Sequence, residues 1–302
     1  MTTPGKKIRR LRERIRLDKK TFILYSVLRA LVILSAVRCF LMQNYEGVAL
    51  CILSLLLFLL PAFFETKMKV DIPPLFEGAI YLFIYAAEIL GEVNHYYTLL
   101  PGWDTMLHTI NGFLCAAIGF SMVDLLNRKS RRISLSPLYL AVVAFCFSMT
   151  IGVCWEFIEF SADQLFFLDM QKDTIVQTIG SVMLDPTHSQ VPVRVSDIVK
   201  TEIFTADGST VTVSGGYLDI GIIDTMKDLF VNFIGAIVFS VIGYFYESKR
   251  GKRTAKIAEG LLLRKYTDAE LEQQEQEITQ RIQEIRDEKA SRHRANNRGD
   301  RR

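Results

Sequence analysis

Six apolar runs constrain this chain more than any other feature, each near the ~20 residues that carry an α-helix across a bilayer. They lie at 21–42, 47–64, 75–95, 104–126, 137–163 and 222–246. Hydrocarbon offers the backbone no solvent partner, so each crossing must satisfy its own N–H and C=O groups, which a helix does. Half of all residues are hydrophobic, and the long apolar runs alternate with short charged ones, a pattern that no soluble domain of this length needs. The expected fold is all-α: a polytopic bundle of six transmembrane helices with a small external β-hairpin insertion and a cytoplasmic C-terminal helix. The basic start leads directly into a full-length span with no small-residue cleavage site, so no signal peptide is expected.

Lys and Arg give the orientation. They crowd the N-terminal tail from Lys6 to Lys20 and recur at Lys67 and Lys69, at Arg128 to Arg132, and at Lys249 to Arg253, whereas the connections 43–46 and 93–103 contain none. Six spans with both termini cytoplasmic satisfy the positive-inside rule at every loop. The expected organisation is a basic cytoplasmic tail (1–20), a membrane domain (21–246) with an external insertion at 164–220, and a charged cytoplasmic tail (247–302), in the plasma membrane.

Four of the apolar segments carry polar groups spaced three or four residues apart, and therefore stacked on one helical face. These stripes are Glu88, Glu92 and His95; Asp104, His108 and Asn111; Glu156, Glu159 and Asp163; and Asp224, Asp228 and Asn232. With the orientation above, all four meet in the outer leaflet. Asn111 or Asn232 alone would read as hydrogen-bonding glue between helices. Four aligned acidic stripes at one depth point instead to a ligand, proton or catalytic site, because intramembrane ionisable groups mark pathways and sites.

Acids outnumber the nearby countercharges, Arg38, Lys227, His95 and His108. Carboxylates this close cannot all stay ionised in a low dielectric, so some are protonated or a cation sits among them. Hard oxygen donors with one or two imidazoles suit Zn, Mn, Fe or Mg, and the expected ligands are Asp104, His108, Glu156, Glu159, Asp224 and Asp228. His108, Glu156 and Asp228 are the candidate catalytic groups. No strict ligand motif such as His-Glu-x-x-His is present. Cys39, Cys51, Cys115, Cys146 and Cys154 sit inside apolar spans without metal-type spacing and read as small buried hydrophobes, although Cys39 and Cys51 lie near one face and could meet.

Outside the spans, Ile198 to Ser214 alternates in β fashion around Ala206-Asp207-Gly208-Ser209, a hairpin turn signal, and the insertion that holds it is either a lid over the site or a solvated loop. Ile8, Leu11 and Ile15 among the N-terminal cations suit a segment lying on anionic lipid, with a plain topology signal as the simpler reading. Thr267-Asp268-Ala269-Glu270 is a capping box opening a charged helix, and Leu271, Ile278, Ile282 and Ile285 give it a seam that Glu275 and Lys289 interrupt, so self-association through it would be weak. Ser291 to Arg302 reads as disordered. The basic tails are explained by the membrane, and no phosphate-cradling Gly loop or nucleic-acid pattern is present.

Trp103-Asp104-Thr105-Met106-Leu107-His108 with Asn111-Gly112-Phe113, Trp155-Glu156-Phe157-Ile158-Glu159, and Asp224-Thr225-Met226-Lys227-Asp228 with Asn232 and Gly235-Ala236 resemble the motifs of the YjdF family of predicted bacterial inner-membrane proteins. A looser skeleton, Asp-x-x-x-His, paired acids, then Asp-x-x-x-Asn-x-x-Gly, is similar to the VanZ-like membrane family, linked to glycopeptide (teicoplanin) resistance in Gram-positive bacteria. The resemblance covers spans three to six and implies no established activity. Where the YjdF-like pattern has a short Gly-Asp-rich connection before the last span, this chain has a long segment near 170–216.

Three function classes stay open. One is a metal-dependent or acid/base enzyme acting on a lipid or lipid-linked envelope precursor, with membrane lipids as its surroundings. Another is an ion- or proton-coupled transporter, and the last a non-catalytic envelope or partner-binding protein. Spans four and six read as apolar beyond Asn111 and Asn232, which argues mildly against transport.

Overall fold

The computed structural model describes residues 19–68, 70–129, 135–248 and 260–265. The amphipathic segment around Ile8 to Ile15 and the C-terminal helix from Thr267 lie outside these. Among the described residues, six helices are long and apolar enough to cross a membrane: Lys20–Leu41, Tyr45–Lys67, Pro74–Val93, Trp103–Asn127, Pro137–Phe166 and Ile222–Ser248. The protein is therefore a multi-pass helical bundle with only small strand pairs beside it. Its exposed Leu34, Phe40 and Leu126 are what a helix face in contact with lipid tails requires.

The chain divides into two compact units. The first comprises Met1–Trp103, Ala117–Ala144 and Ser240–Arg302. Here α1 (Lys19–Leu41) turns sharply into α2 (Tyr45–Leu57), which continues after a short break as α3 (Leu60–Met68). The turn is a Schellman end with Gln43 in the left-handed region (φ 58°): Asn44 N donates to Cys39 O (2.9 Å) and Gln43 N to Phe40 O (3.1 Å). Asn44 then caps α2, its side chain accepting from Gly47 N (2.8 Å). Tyr25, Phe58 and Tyr81 pack as an aromatic trio with centroids 5.2 to 6.1 Å apart, drawing α1, α2 and α4 (Pro74–Ile84) together. Cys39 and Cys51 do meet, as buried free thiols.

Span three departs from a simple helix. After Ile84 it continues as a π-helix, Tyr85–Val93, then breaks at Asn94, with His95 in the left-handed region (φ 60°). The expected stripe of Glu88, Glu92 and His95 is therefore interrupted: the helix ends before His95, and the wider π turn replaces α spacing. A four-residue helix, α5 (Tyr96–Leu99), leads to α6 (Trp103–Lys129). Contrary to the expectation from its run, span four is not apolar throughout beyond Asn111, because Ser121 and Asp124 on α6 are buried within this unit. Asp124 lies 13 residues beyond Asn111, about 20 Å along a helix, with Phe113 to Phe120 between them.

The second unit comprises Asp104–Ala116 and Phe145–Phe239. It holds the first half of α6, the second half of α7 (Pro137–Phe166), the whole insertion, and most of α8 (Ile222–Ser248). Helix approach here is set by glycine. A Cβ on Gly112 would collide with the Asn232 carbonyl oxygen, and one on Gly235 with that of Thr109, so α6 and α8 touch backbone to backbone. Ser148 Oγ on α7 donates to Gly112 O (2.7 Å), and Asn111 Nδ2 donates to Asn232 Oδ1 (3.3 Å). Both asparagines thus act as the helix glue that their residue type suggested.

In the first unit β1 (Val70–Asp71) pairs with β8 (Arg264–Lys265), and the insertion contains three further antiparallel pairs. β5 (Lys200–Phe204) and β6 (Thr210–Ser214) form the expected hairpin, with Gly208 at φ 85° in its turn. β2 (Ile175–Val176) pairs with β7 (Tyr217–Leu218), and β3 (Ile179–Ser181) with β4 (Val193–Val195). In the hairpin turn the Thr205 hydroxyl and the Ser209 N–H (3.0 Å) donate to the Asp207 carboxylate and lower its pKa to about 2. Because the folded pKa is depressed, the carboxylate's support is complete above the unfolded value of ~3.9 and is lost as pH falls toward about 2. Amide exchange at Gly208 and Ser209 should accelerate over that window relative to the strands, and Asp207→Asn should remove the pH dependence.

Candidate functional site

The candidate site belongs entirely to the second unit. Three helices supply it, each through the spacing that the sequence displays. On α6, Asp104 and His108 stand one turn apart, with Asp104 Oδ1 3.4 Å from His108 Nε2. On α7, Glu156 Oε1 lies 3.8 Å from His108 Nδ1, so the imidazole is flanked by a carboxylate at each nitrogen. Asp228 on α8 completes the group: one oxygen of Asp104, one ring nitrogen of His108 and one oxygen of Asp228 all lie within 4.8 Å of one another.

Burial makes this arrangement chemically unusual. Asp228 is 1 % exposed and Glu156 4 %, yet Asp104 Oδ2, Glu156 Oε2 and Asp228 Oδ1 are buried with no hydrogen-bond donor among the described residues, so Asp104 and Asp228 either share a proton with each other or are bridged by a cation. An unpartnered buried carboxylate oxygen is costly, and three around one imidazole form a donor set that a cation would satisfy.

Glu159 and Asp224 stay close enough to act electrostatically on His108 and Asp104, and each also has another partner. Glu159 accepts from Trp155 Nε1 one turn earlier on its own helix (2.7 Å), and Asp224 accepts from Lys172 N (2.9 Å) with Lys227 Nζ 3.8 Å away. Neither joins the three-residue group. Asp163, last in its stripe, turns to the chain after α7, where it accepts from Met170 N (2.7 Å) and Gln171 N (2.9 Å). Glu88, Glu92 and His95 belong to the first unit.

Asp163 and Asp224 thereby fasten the insertion. Gln171 Nε2 donates to Thr225 Oγ1 (2.5 Å), and Asp219 accepts from Thr174 N (2.6 Å), Ile223 N (2.9 Å) and Gly221 N (3.3 Å). Against the desolvation that opposes its ionised form, these backbone donors hold the Asp219 carboxyl below its usual range. Sequence reasoning missed Gln171, Thr225 and Lys172 in this role. Only Asp219-Ile220-Gly221 carried a signal, a turn-type Asp followed two residues later by glycine.

No curated protein and no solved structure matches the chain. A family model described as "Predicted membrane protein (DUF2238)" matches residues 21–249, all six spans and the insertion between the last two. The chain, with its carboxylate and histidine group on spans four to six, belongs to the DUF2238 family of membrane proteins.

Proposed function

We propose that Asp104, His108 and Asp228 bind a divalent metal ion, and that the protein is a membrane enzyme using it on a lipid or lipid-linked envelope precursor. The observation that carries this reading is the convergence of three ligand atoms within 4.8 Å, ringed by unpartnered carboxylate oxygens. Two carboxylates and one imidazole suit Zn, Mn, Fe or Mg, and three protein ligands leave a position open for water or substrate. A metal held there would polarise a phosphoryl or carbonyl oxygen and acidify bound water. Glu156, with Oε1 3.8 Å from His108 Nδ1, would orient the ring as a carboxylate behind a ligating histidine. The resemblance to the YjdF and VanZ-like families rests on these same residues.

Depth supports a lipid substrate. His108 lies five residues inside its span and Asp228 six inside its own, about 8 to 9 Å along each helix, near the headgroup and ester region of a lipid. The apolar stretch from Phe113 to Phe120 on α6 favours this reading over a continuous ion path.

Elemental analysis of chelator-free purified protein tests the proposal. About one equivalent of divalent metal per chain is expected, retained in Glu159→Gln, whose carboxylate is engaged by Trp155. Absence of metal after incubation with Zn, Mn, Fe and Mg in turn would refute it.

Sidedness follows from the Lys and Arg distribution: both termini lie in the cytoplasm of the cell that bears this membrane, and the insertion outside. In a cysteine-free background, a membrane-impermeant maleimide should label Ser209→Cys in intact cells and spare Lys67→Cys until the cells are opened. The reverse pattern would invert the topology.

A further inference from the structure

We propose that the first unit carries a binding site for a phosphate-type anion, presented on a lipid headgroup or free, in the cavity where spans one, two and three end together. The cavity measures about 350 Å³, at the small end of ligand pockets and large enough for a phosphate with a glycerol-sized substituent. Arg38, Asn44, Asn94 and His95 supply its polar lining. The rest of the lining is Cys39, Met42 and Val93, so no carboxylate is among the described lining residues.

The donors are positioned but uncommitted. Asn94 is fixed first: at the end of the π-helix its backbone N donates to Ile89 O (3.0 Å) and its side-chain Nδ2 donates to the same carbonyl (2.6 Å). Its remaining oxygen accepts from Arg38 Nη2 (2.7 Å) and anchors the guanidinium. That uses one of five guanidinium N–H groups, and among the described residues Arg38 has no acidic partner. Asn44 spends its oxygen on capping α2, which leaves its NH₂ group as a donor. His95 lines the cavity with its backbone at φ 60°, a left-handed conformation uncommon for a non-glycine residue. A π-helix is itself a costly register that recurs at functional sites.

Position selects the ligand chemistry. Arg38 lies three residues before the end of span one, Asn44 one residue before the start of span two, and Asn94 one residue after span three. These alternating spans end on the same face of the membrane, at the depth of lipid phosphates. A planar guanidinium matches a phosphate's paired oxygens better than an ammonium does.

The test titrates full-length protein in neutral detergent with dihexanoylphosphatidylglycerol, inorganic phosphate and the uncharged dihexanoylglycerol. Saturable binding of at least one phosphate-bearing probe is expected. It should weaken at least about tenfold in Arg38→Gln, the loss of a charge-assisted contact, and less in Arg38→Lys. The phospholipid binding while phosphate does not identifies a headgroup, and equal binding identifies the free anion. Should Arg38→Gln fail to fold, Met42→Trp, which fills the cavity and leaves every donor in place, must show the same loss. Equal binding of the uncharged diglyceride, or binding unchanged in the folded variants, would overturn the proposal.

Discussion

Replacing Gly112 or Gly235 by valine is expected to leave little folded protein. At each position a side chain would meet the backbone of the facing helix: the Asn232 carbonyl for Gly112, and the Thr109 carbonyl and Phe113 N for Gly235. Overpacking costs about 1–3 kcal/mol where flexible side chains can give way. Here the obstacles are peptide groups in two rigid helices, so α6 and α8 must separate. Separation also breaks the Asn111–Asn232 bond and strains the bond from Ser148 to Gly112 O, exposing polar groups to an environment that cannot solvate them. Thermal unfolding followed by size-exclusion chromatography in detergent would read the effect. Gly180→Ala is the control, because nothing lies within 4 Å of its added methyl. A valine variant at Gly112 that melts like the parent would refute the close approach.

The second large effect concerns the acidic group. Asp228→Asn and His108→Ala should each weaken metal binding at least about 100-fold, since even groups behind the ligands contribute 10–100-fold and these are the ligands themselves. The stability of the metal-free protein separates a binding site from structural glue. Asp228 is buried with one oxygen unpartnered and stands within 4.8 Å of Asp104, so the neutral amide relieves repulsion, and metal-free Asp228→Asn should melt at or above the parent. If it melts well below the parent and metal content is unchanged, Asp228 is structural.

Much of this was legible in the sequence, for identifiable reasons. The six spans follow from hydropathy because lipid leaves the backbone few alternatives, and the hairpin at 200–214 follows from alternation around a turn containing Gly208. Asp104, His108 and Asp228 come together because helical spacing fixes which face each occupies. Periodicity gives a face, however, and not the competitors on that face. Glu159 has the Trp155 indole one turn away on the same helix, which engages one of its oxygens, and Asp163 has free backbone N–H groups just beyond the helix end and turns to them. The π register at Tyr85–Val93 has no residue signature, and this hid the diversion of His95. The pairs β2 with β7 and β3 with β4 are two or three residues long, too short for alternation to show.

Among the described residues, the hydrogen bonds that tie the insertion to its helices gather in a narrow neck. Asp163, Asp219, Asp224 and Thr225 hold residues 170–174 and 219–223, and the pairing of Ile175 with Leu218 and Val176 with Tyr217 closes the gap above them. Chain entering and leaving at paired positions makes the forty residues from Gln177 to Gly216 a loop whose closure the neck has already achieved. Loop-closure entropy grows only with the logarithm of length. Beyond the neck, the length and content of the insertion can therefore drift between related chains without disturbing the helices that carry the acidic group, which makes it the part of this architecture most open to diversification.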